Sequence, residues 1–536
     1  MSSSKTSNHV TLFDTTLRDG GQTKGVNYTL DDKCRIAAAL DAAGLDYIEA
    51  GWPGASPTDT AFFTEPPPLT HSKLTAFGMT CKAGKKPQDD PLLRKVLHNA
   101  APVACLFGKT WDRHAEVALG VSLKENLALI HQTVAYGKTQ KEELLFDAEH
   151  FFDGFKHNPD YALACLKTAA DAGADWLVLC DTNGGTLPHD ITTIVKTVRK
   201  HLPSAWLGIH AHNDSDVAVA NSLMAVQAGC RMVQGTMLGL GERCGNANLL
   251  SVAAALRYKM GFSTSLTEEA LRDMTRLSGW LAQLTGQSLP STAPYVGQAA
   301  FAHKGGVHVS AVEKDSTLYE HLDPALFGNK RQIPVSNQAG LSNLRQALAA
   351  LGLSATGKEE TLRQLLETVK KRELKGYTFD KAPESFAVLL ATRLDEAFQP
   401  FTLTSHDIRI DGEHVGDNGD HDECAAKVRV LCHGKMAVAR TVKTGPVDAL
   451  DEAMRKALTP TYPELETVEL IDFNSDLVDK TAATGAKTRV YITSRRRKDG
   501  KLIQTMGVST NIVRASLEAL ADSYKYTILM EKGLVR

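Results

Sequence analysis

Between residues 11 and about 260 the chain switches eight times from a short β-rich run to a stretch of helical period. The runs fall at 11–17, 46–51, 73–79, 103–107, 143–147, 176–180, 206–210 and 232–237. Helix-period stretches such as 30–43, 122–136, 159–172, 188–201 and 216–228 lie between them. Strands that alternate with helices pair in parallel through right-handed crossovers. Eight such units in about 250 residues predict a closed (β/α)8 barrel, with a doubly wound open sheet as the alternative. In a barrel of this kind the chemistry sits at the C-terminal ends of the strands, so polar residues placed there become candidates.

The full length of 536 residues is more than one core accommodates. After a barrel over 1–265, residues 266–399 read as a helical accessory region with turn-rich breaks at 286–298 and 329–340. From 400 to 536 the texture is α+β, with strand-like stretches at 401–410, 425–432, 436–443 and 487–493. Helices are expected there at about 446–457 and 511–524, and the basic segment 494–501 reads as a solvated hairpin turn. The 60 Lys and Arg against 62 Asp and Glu leave a net charge of -2, which points to neither nucleic acid nor an anionic membrane. The first ten residues lack the apolar core of a signal peptide, and no run of 18 apolar residues occurs. Nine scattered cysteines without a CxxC spacing read as reduced thiols. A cytoplasmic enzyme is the expectation.

Three strand ends gather the chemistry. The first closes on Asp14 to Gly21, where Arg18 and Asp19 follow an apolar strand. The planar fork of Arg18 suits a carboxylate, and Asp19 offers a hard oxygen ligand; a plain loop-capping ion pair is the alternative. The seventh closes on Gly208 to Asp214. Alternation puts His210 and His212 on one face, one pleat apart, where two imidazoles can grip one ion. Asp214 is expected to orient one of those rings. After the eighth run, the glycines of 239–248 permit a tight loop, and Asn246 serves either as a helix N-cap or as an outer or fourth ligand. One carboxylate and two imidazoles leave positions open for a chelating keto acid, and Mg2+, Mn2+ or Zn2+ all suit that set. Asp147 and Glu149 at the fifth strand end share the rim. So does Thr182 after the sixth, a donor for a substrate carboxylate. Glu49 is expected to face the barrel interior and pair with Arg18.

The Leu-Arg-Asp-Gly turn, the HxHND strand end and the GxGErxGN loop occur in that order, with LFDAEHFFDG and AFAHKGGVHVSAV. Together they resemble the TIM-barrel, metal-dependent acyl-CoA condensing enzymes: the isopropylmalate, homocitrate and citramalate synthases, with related lyases and carboxyltransferases. The resemblance covers nearly the whole chain. It implies an acyltransferase that converts the acyl group of acetyl-CoA to an alkyl group on a 2-keto acid and then hydrolyses the thioester. Pyruvate is the keto acid favoured, with 2-ketoisovalerate and 2-ketoglutarate as the alternatives. It further implies Asp19, His210 and His212 as metal ligands, completed or supported by Asn246. Arg18 would stabilise the keto oxygen, Thr182 and Asp147 would lie against the keto acid, and Glu149 would stand near the reacting groups. His308 matches a histidine implicated in activating acetyl-CoA, and Thr317 and Tyr319 match positions that approach the thioester. Ser310 stands where some relatives carry an acid, which weakens a His–Asp pair at this point. A homodimer is implied. So is a regulatory domain at 400–536, marked by GVSTN at 507–511 with Ala519 and Asp522, whose expected effector is isoleucine.

Overall fold

The structure is a computed structural model, and it describes residues 8–333, 340–395, 398–413, 421–479 and 485–535. The described residues divide into two compact units, one drawn from 8–301 with 323–330 and the other from 302–322 with those after 330.

In the first unit the eight β-rich runs are eight strands in a closed barrel, paired in sequence order, with β1 closing on β8. They are β1 Thr11–Asp14, β2 Tyr47–Gly51, β3 Lys73–Met79, β4 Val103–Lys109, β5 Glu143–Glu149, β6 Trp176–Asp181, β7 Leu207–Ala211 and β8 Met232–Gly235. All barrel pairings are parallel. Helices follow each strand, including Leu30–Ala43, Leu123–Gln140, Pro188–His201 and Leu249–Tyr258. Their starts are encoded locally: Thr29 and Asp32 form a capping box, and Ser122 and Asn248 accept N–H bonds from the first turns they precede.

One face of the strands fills the barrel with Phe13, Tyr47, Phe77, Val103, Cys105, Leu145, Trp176, Val178, Cys180 and Met232. Because strand side chains alternate, the same parity carried toward the C-terminal ends reaches Glu49, Phe107, Asp147, Glu149, His210 and Gln234. The barrel thus has an apolar interior and a polar mouth.

The second unit holds two antiparallel sheets. One is ordered β11-β10-β9 and the other β12-β13-β14. Their strands are β9 Thr402–Glu413, β10 His421–Cys432, β11 Lys435–Lys443, β12 Val468–Leu477, β13 Thr488–Arg496 and β14 Leu502–Ser509. Val428, Val430, Val490 and Ile492 share a core with Leu450 and Met454 of the helix Pro446–Leu458 and with Leu520 and Tyr524 of the helix Ile512–Glu531. A second core joins the helices Leu341–Ala350, Glu359–Leu374 and Pro383–Leu394 to Ile503, Tyr526 and Leu529. The basic segment 494–501 makes the expected turn, between β13 and β14. All nine cysteines are free thiols, and no helix among the described residues is long and apolar enough to cross a membrane.

Candidate active site

The strand ends of the barrel surround a cavity of about 540 Å³. Arg18, Asp19, Asp147, Glu149, Thr182, His210 and His212 all border it. Seven of the residues singled out from the sequence therefore meet in one place.

Asp19 is their hub. Its Oδ2 lies 3.0 Å from Arg18 Nη1, 3.4 Å from His210 Nε2 and 3.8 Å from His212 Nε2. Burial by itself would raise the Asp19 carboxyl. Arg18, His210 and His212 outweigh that and hold it well below the usual carboxylate range. Burial and the neighbouring cationic groups, His210 first, depress His212 to about 4. Its imidazole is consequently neutral at physiological pH, the form that can offer a lone pair.

Arg18 is held on three sides. Its Nε donates to Glu49 Oε2 at 2.6 Å, Nη1 bonds Asp19, and the guanidinium carbon sits 3.9 Å above the centre of the Phe77 ring. The ion pair with Glu49 expected from the sequence is present, and Glu49 is fully buried. Phe77 stacks on Phe107 with ring centres 5.2 Å apart, and Trp52 meets both edge-on. These rings form an aromatic wall beside the guanidinium.

The loop after β8 is shaped by its glycines. Gly241 has φ +151°, and a Cβ there would come within 2.2 Å of Asn246 Nδ2. Gly245 has φ +82°, with the carbonyl oxygen of Gly239 in the way of any side chain. The loop brings Asn246 into a backbone bridge with His212. The N-cap of the following helix is Asn248, not Asn246. Asn246 Nδ2 donates to the Leu240 carbonyl, leaving its Oδ1 buried without a partner.

Two sequence expectations change. Asp214 does not orient an imidazole: it accepts two bonds from Arg243, at 2.8 and 3.0 Å, in the loop beyond β7. His210 is oriented instead by Gln234, whose Oε1 lies 2.8 Å from its Nδ1. The sequence marks Gln234 only as an amide inside an otherwise apolar strand. Lys33, on the helix Leu30–Ala43, carries no such mark. It borders the cavity and bonds the carbonyls of Leu17 and Ala50 together with the Asp59 carboxylate.

Glu149 is ion-paired with Lys109, and Thr182 Oγ1 accepts the His150 N–H at 2.9 Å, which leaves the hydroxyl proton available. His308 and Tyr319 belong to the second unit, where their rings stack with centres 4.2 Å apart. The Thr317 hydroxyl donates to Asp315 at 2.7 Å.

The donor set fits a divalent cation. Asp19, His210 and His212 offer ligand atoms all within 4.8 Å of one another, the only such group of His, Cys, Asp or Glu among the described residues. Asp19 Oδ1 and Asn246 Oδ1 are buried acceptors lacking hydrogen-bond partners, and unsatisfied acceptors of this kind call for a cation or a donor. Carboxylate, imidazole and amide oxygen together accept Mg2+, Mn2+ or Zn2+.

Residues 9–277 match the HMGL-like family, 295–376 the homocitrate synthase post-HMGL domain-like family and 381–528 the LeuA allosteric (dimerisation) domain. An (R)-citramalate synthase of Aquifex aeolicus is 45% identical over 98% of each chain. One of Synechocystis sp. is 42% identical over 100% of this chain and 98% of its own, and one of Sulfolobus acidocaldarius 41% over 98% and 97%. Among solved structures, an HMG-CoA lyase of Bacillus subtilis superposes with a TM-score of 0.45 at 21% identity, covering 54% of this chain and 97% of that one. Barrel and site together define an HMGL-like enzyme with a carboxylate–bis-imidazole cluster at its mouth. Similarity of this extent then fixes the narrower group. The chain belongs to the (R)-citramalate synthase family.

Proposed function

We propose that the chain is an acyltransferase that condenses acetyl-CoA with pyruvate and hydrolyses the thioester, giving (R)-citramalate and CoA at the start of a pyruvate route to isoleucine. The observation that carries this reading is the convergence of Asp19, His210 and His212 beside Arg18 in one cavity. Full-length relatives named (R)-citramalate synthase support the choice of keto acid, while a relative named probable 2-isopropylmalate synthase stands at 31% identity.

A divalent ion held by Asp19, His210 and His212, with Asn246 in support, would supply Lewis-acid polarisation of the keto carbonyl. Arg18 complements the negative charge that grows on the keto oxygen, and its two carboxylate partners and the Phe77 ring fix its aim in advance. Thr182 donates its hydroxyl proton to the pyruvate carboxylate. Asp147 and Glu149 border the same space, Glu149 with its charge balanced by Lys109. From the family resemblance, His308 takes the role of base toward the thioester methyl and Tyr319 that of its companion.

The same reading makes the protein a cytoplasmic homodimer whose C-terminal domain binds isoleucine as feedback inhibitor. The match to the LeuA allosteric (dimerisation) domain supports the dimer and a regulatory role for that domain, and isoleucine is the effector that the proposed route to isoleucine favours. The test is CoA thiol release from acetyl-CoA with pyruvate, 2-ketoisovalerate or 2-ketoglutarate, each with and without isoleucine. Pyruvate should be strongly preferred and isoleucine inhibitory. A preference for 2-ketoisovalerate sinks the assignment.

A further inference from the structure

We infer that Gln234 is a positioning residue for the metal centre: its amide, oriented by Asp147, dictates which ring nitrogen of His210 carries the proton and so keeps Nε2 free for the ion. The inference rests on the metal-site reading above and adds to it a residue that nothing in the family match assigns.

The argument is one of donors and acceptors. Gln234 Nε2 lies 3.0 Å from Asp147 Oδ1, and Gln234 Oε1 lies 2.8 Å from His210 Nδ1. The amide turns its NH2 toward Asp147, whose oxygen accepts from it, and its own oxygen toward the imidazole. An amide oxygen only accepts, so Nδ1 must carry the proton. In the neutral ring that leaves Nε2 bare. Nε2 is the atom that faces Asp19 Oδ2 at 3.4 Å.

The fold makes this relay rigid. Gln234 sits directly across from His210 in the β7–β8 pairing, and Asp147 reaches it from β5 across the barrel interior. Gln234 is fully buried, and Asp147 and His210 nearly so, so water does not compete for these bonds. Gln234 is absent from the residues bordering the cavity, whereas Asp147 and His210 border it. Its influence on a substrate therefore passes through His210. The chemistry also explains an amide at this position, because a glutamate would set two carboxylates face to face.

The test is Mn2+ binding to the full-length protein, followed by the electron paramagnetic resonance signal of the free ion. Gln234→Leu and Gln234→Glu should each weaken binding by about 10–100-fold, the usual effect of losing a partner that orients a metal-bound histidine. The double variant Gln234→Glu with Asp147→Asn reverses the outer bond: the amide introduced on β5 then donates to a carboxylate that still accepts from His210. It should recover most of the lost affinity, which a merely structural role for Gln234 does not foresee. Wild-type affinity in Gln234→Leu, or a double variant binding no better than Gln234→Glu, overturns the inference. Should Gln234→Leu fail to fold by circular dichroism, the comparison of Gln234→Glu with the double variant decides alone. A wild-type protein that takes up no Mn2+, or a His212→Ala variant that binds it as well as wild type, overturns the metal-site reading and this inference with it.

Discussion

Oδ2 of Asp19 and Nε2 of His210 face each other at 3.4 Å, so the Asp19 carboxylate favours a positive charge on or beside that nitrogen. A divalent cation bound between them would supply that charge in place of a proton. Chelation should therefore abolish condensation, and added Mn2+ should restore it. His212→Ala should weaken Mn2+ binding by more than about 100-fold and reduce turnover to background, with the circular dichroism of the barrel unchanged. Full activity after exhaustive chelation would count against the site.

Arg18 bridges Glu49 and Asp19 through two different nitrogens while its guanidinium sits over the Phe77 ring. A lysine has the charge but not the fork, so Arg18→Lys cannot keep both bonds. We expect kcat to fall by about 10²–10³-fold, the range for removing one donor to a developing oxyanion, with KM for acetyl-CoA little altered. Arg18→Ala should also unfold more readily, because it strands the fully buried Glu49 without a counter-charge. Steady-state kinetics and thermal unfolding separate the two effects. A kcat for Arg18→Lys within a factor of two of wild type would remove Arg18 from the chemistry.

The barrel was legible because its strands are continuous apolar runs between amphipathic helices, and all eight were readable from Thr11 to Gly235. In the C-terminal region β12 is hard to read because its sequence, VELIDFNSDL, is half polar without a sustained alternation, and its strand is mostly exposed. It holds its place by backbone pairing to β13, which leaves little mark on hydrophobic period. At the site, residues of one strand end could be grouped by parity, which is why His210 and His212 were found. Across strands the opposite charges of Arg18 and Glu49 could be matched, but the hydrogen-bonded contacts of neutral and aromatic side chains could not. Gln234 reaches His210 from β8, Asp147 comes from β5, and the Trp52–Phe77–Phe107 wall draws on three separate segments. Asp214 misled for the opposite reason. It neighbours His212 in sequence but turns to Arg243 once the loop beyond β7 folds.

The buried Asp14 makes barrel stability depend on pH. Burial pushes its carboxyl up to about 7, against the stabilising bonds it accepts from Thr16. In the unfolded chain the group titrates near about 4. The folded form holds the extra proton between these values, so this contribution is fully present below about pH 4 and is lost as pH rises through 7. Asp14→Asn should be spared the loss, gaining on wild type by at most about 4 kcal/mol between pH 4 and 8. Urea unfolding of the two proteins at pH 5 and pH 8 measures the difference. Parallel pH profiles would show that Asp14 is not the group responsible.

The aromatic wall bounds the room left for the keto-acid side chain. Phe107 borders the cavity and packs between Phe77 and Trp52, next to the ring on which Arg18 rests. A methyl group tolerates such a wall better than a branched chain does. Removing the ring should therefore shift preference toward larger keto acids. We expect Phe107→Ala to raise the ratio of kcat/KM for 2-ketoisovalerate over pyruvate by at least about 10-fold, in keeping with 10–200-fold per methylene in a fitted pocket. An unchanged ratio would place the side chain of the keto acid elsewhere in the cavity.

Gly241 offers the most local test of how the loop after β8 serves the site. At φ +151° its backbone occupies a region that side chains rarely adopt, and a Cβ would stand 2.2 Å from Asn246 Nδ2 and 3.1 Å from Asp19 Oδ1. Gly241→Ala thus both strains the loop, by about 1–3 kcal/mol, and pushes Asn246 away from the carboxylate it accompanies. The backbone bridge from Asn246 to His212 transmits the displacement to a second ligand. Mn2+ affinity and kcat should fall together. Gly120→Ala, at φ +67° with open space around its Cβ, controls for backbone strain outside the site. It should lower the unfolding temperature by a comparable amount with metal affinity intact. If both variants bind Mn2+ like wild type, the glycine serves only the turn, and Asn246 does not depend on it for its place beside Asp19.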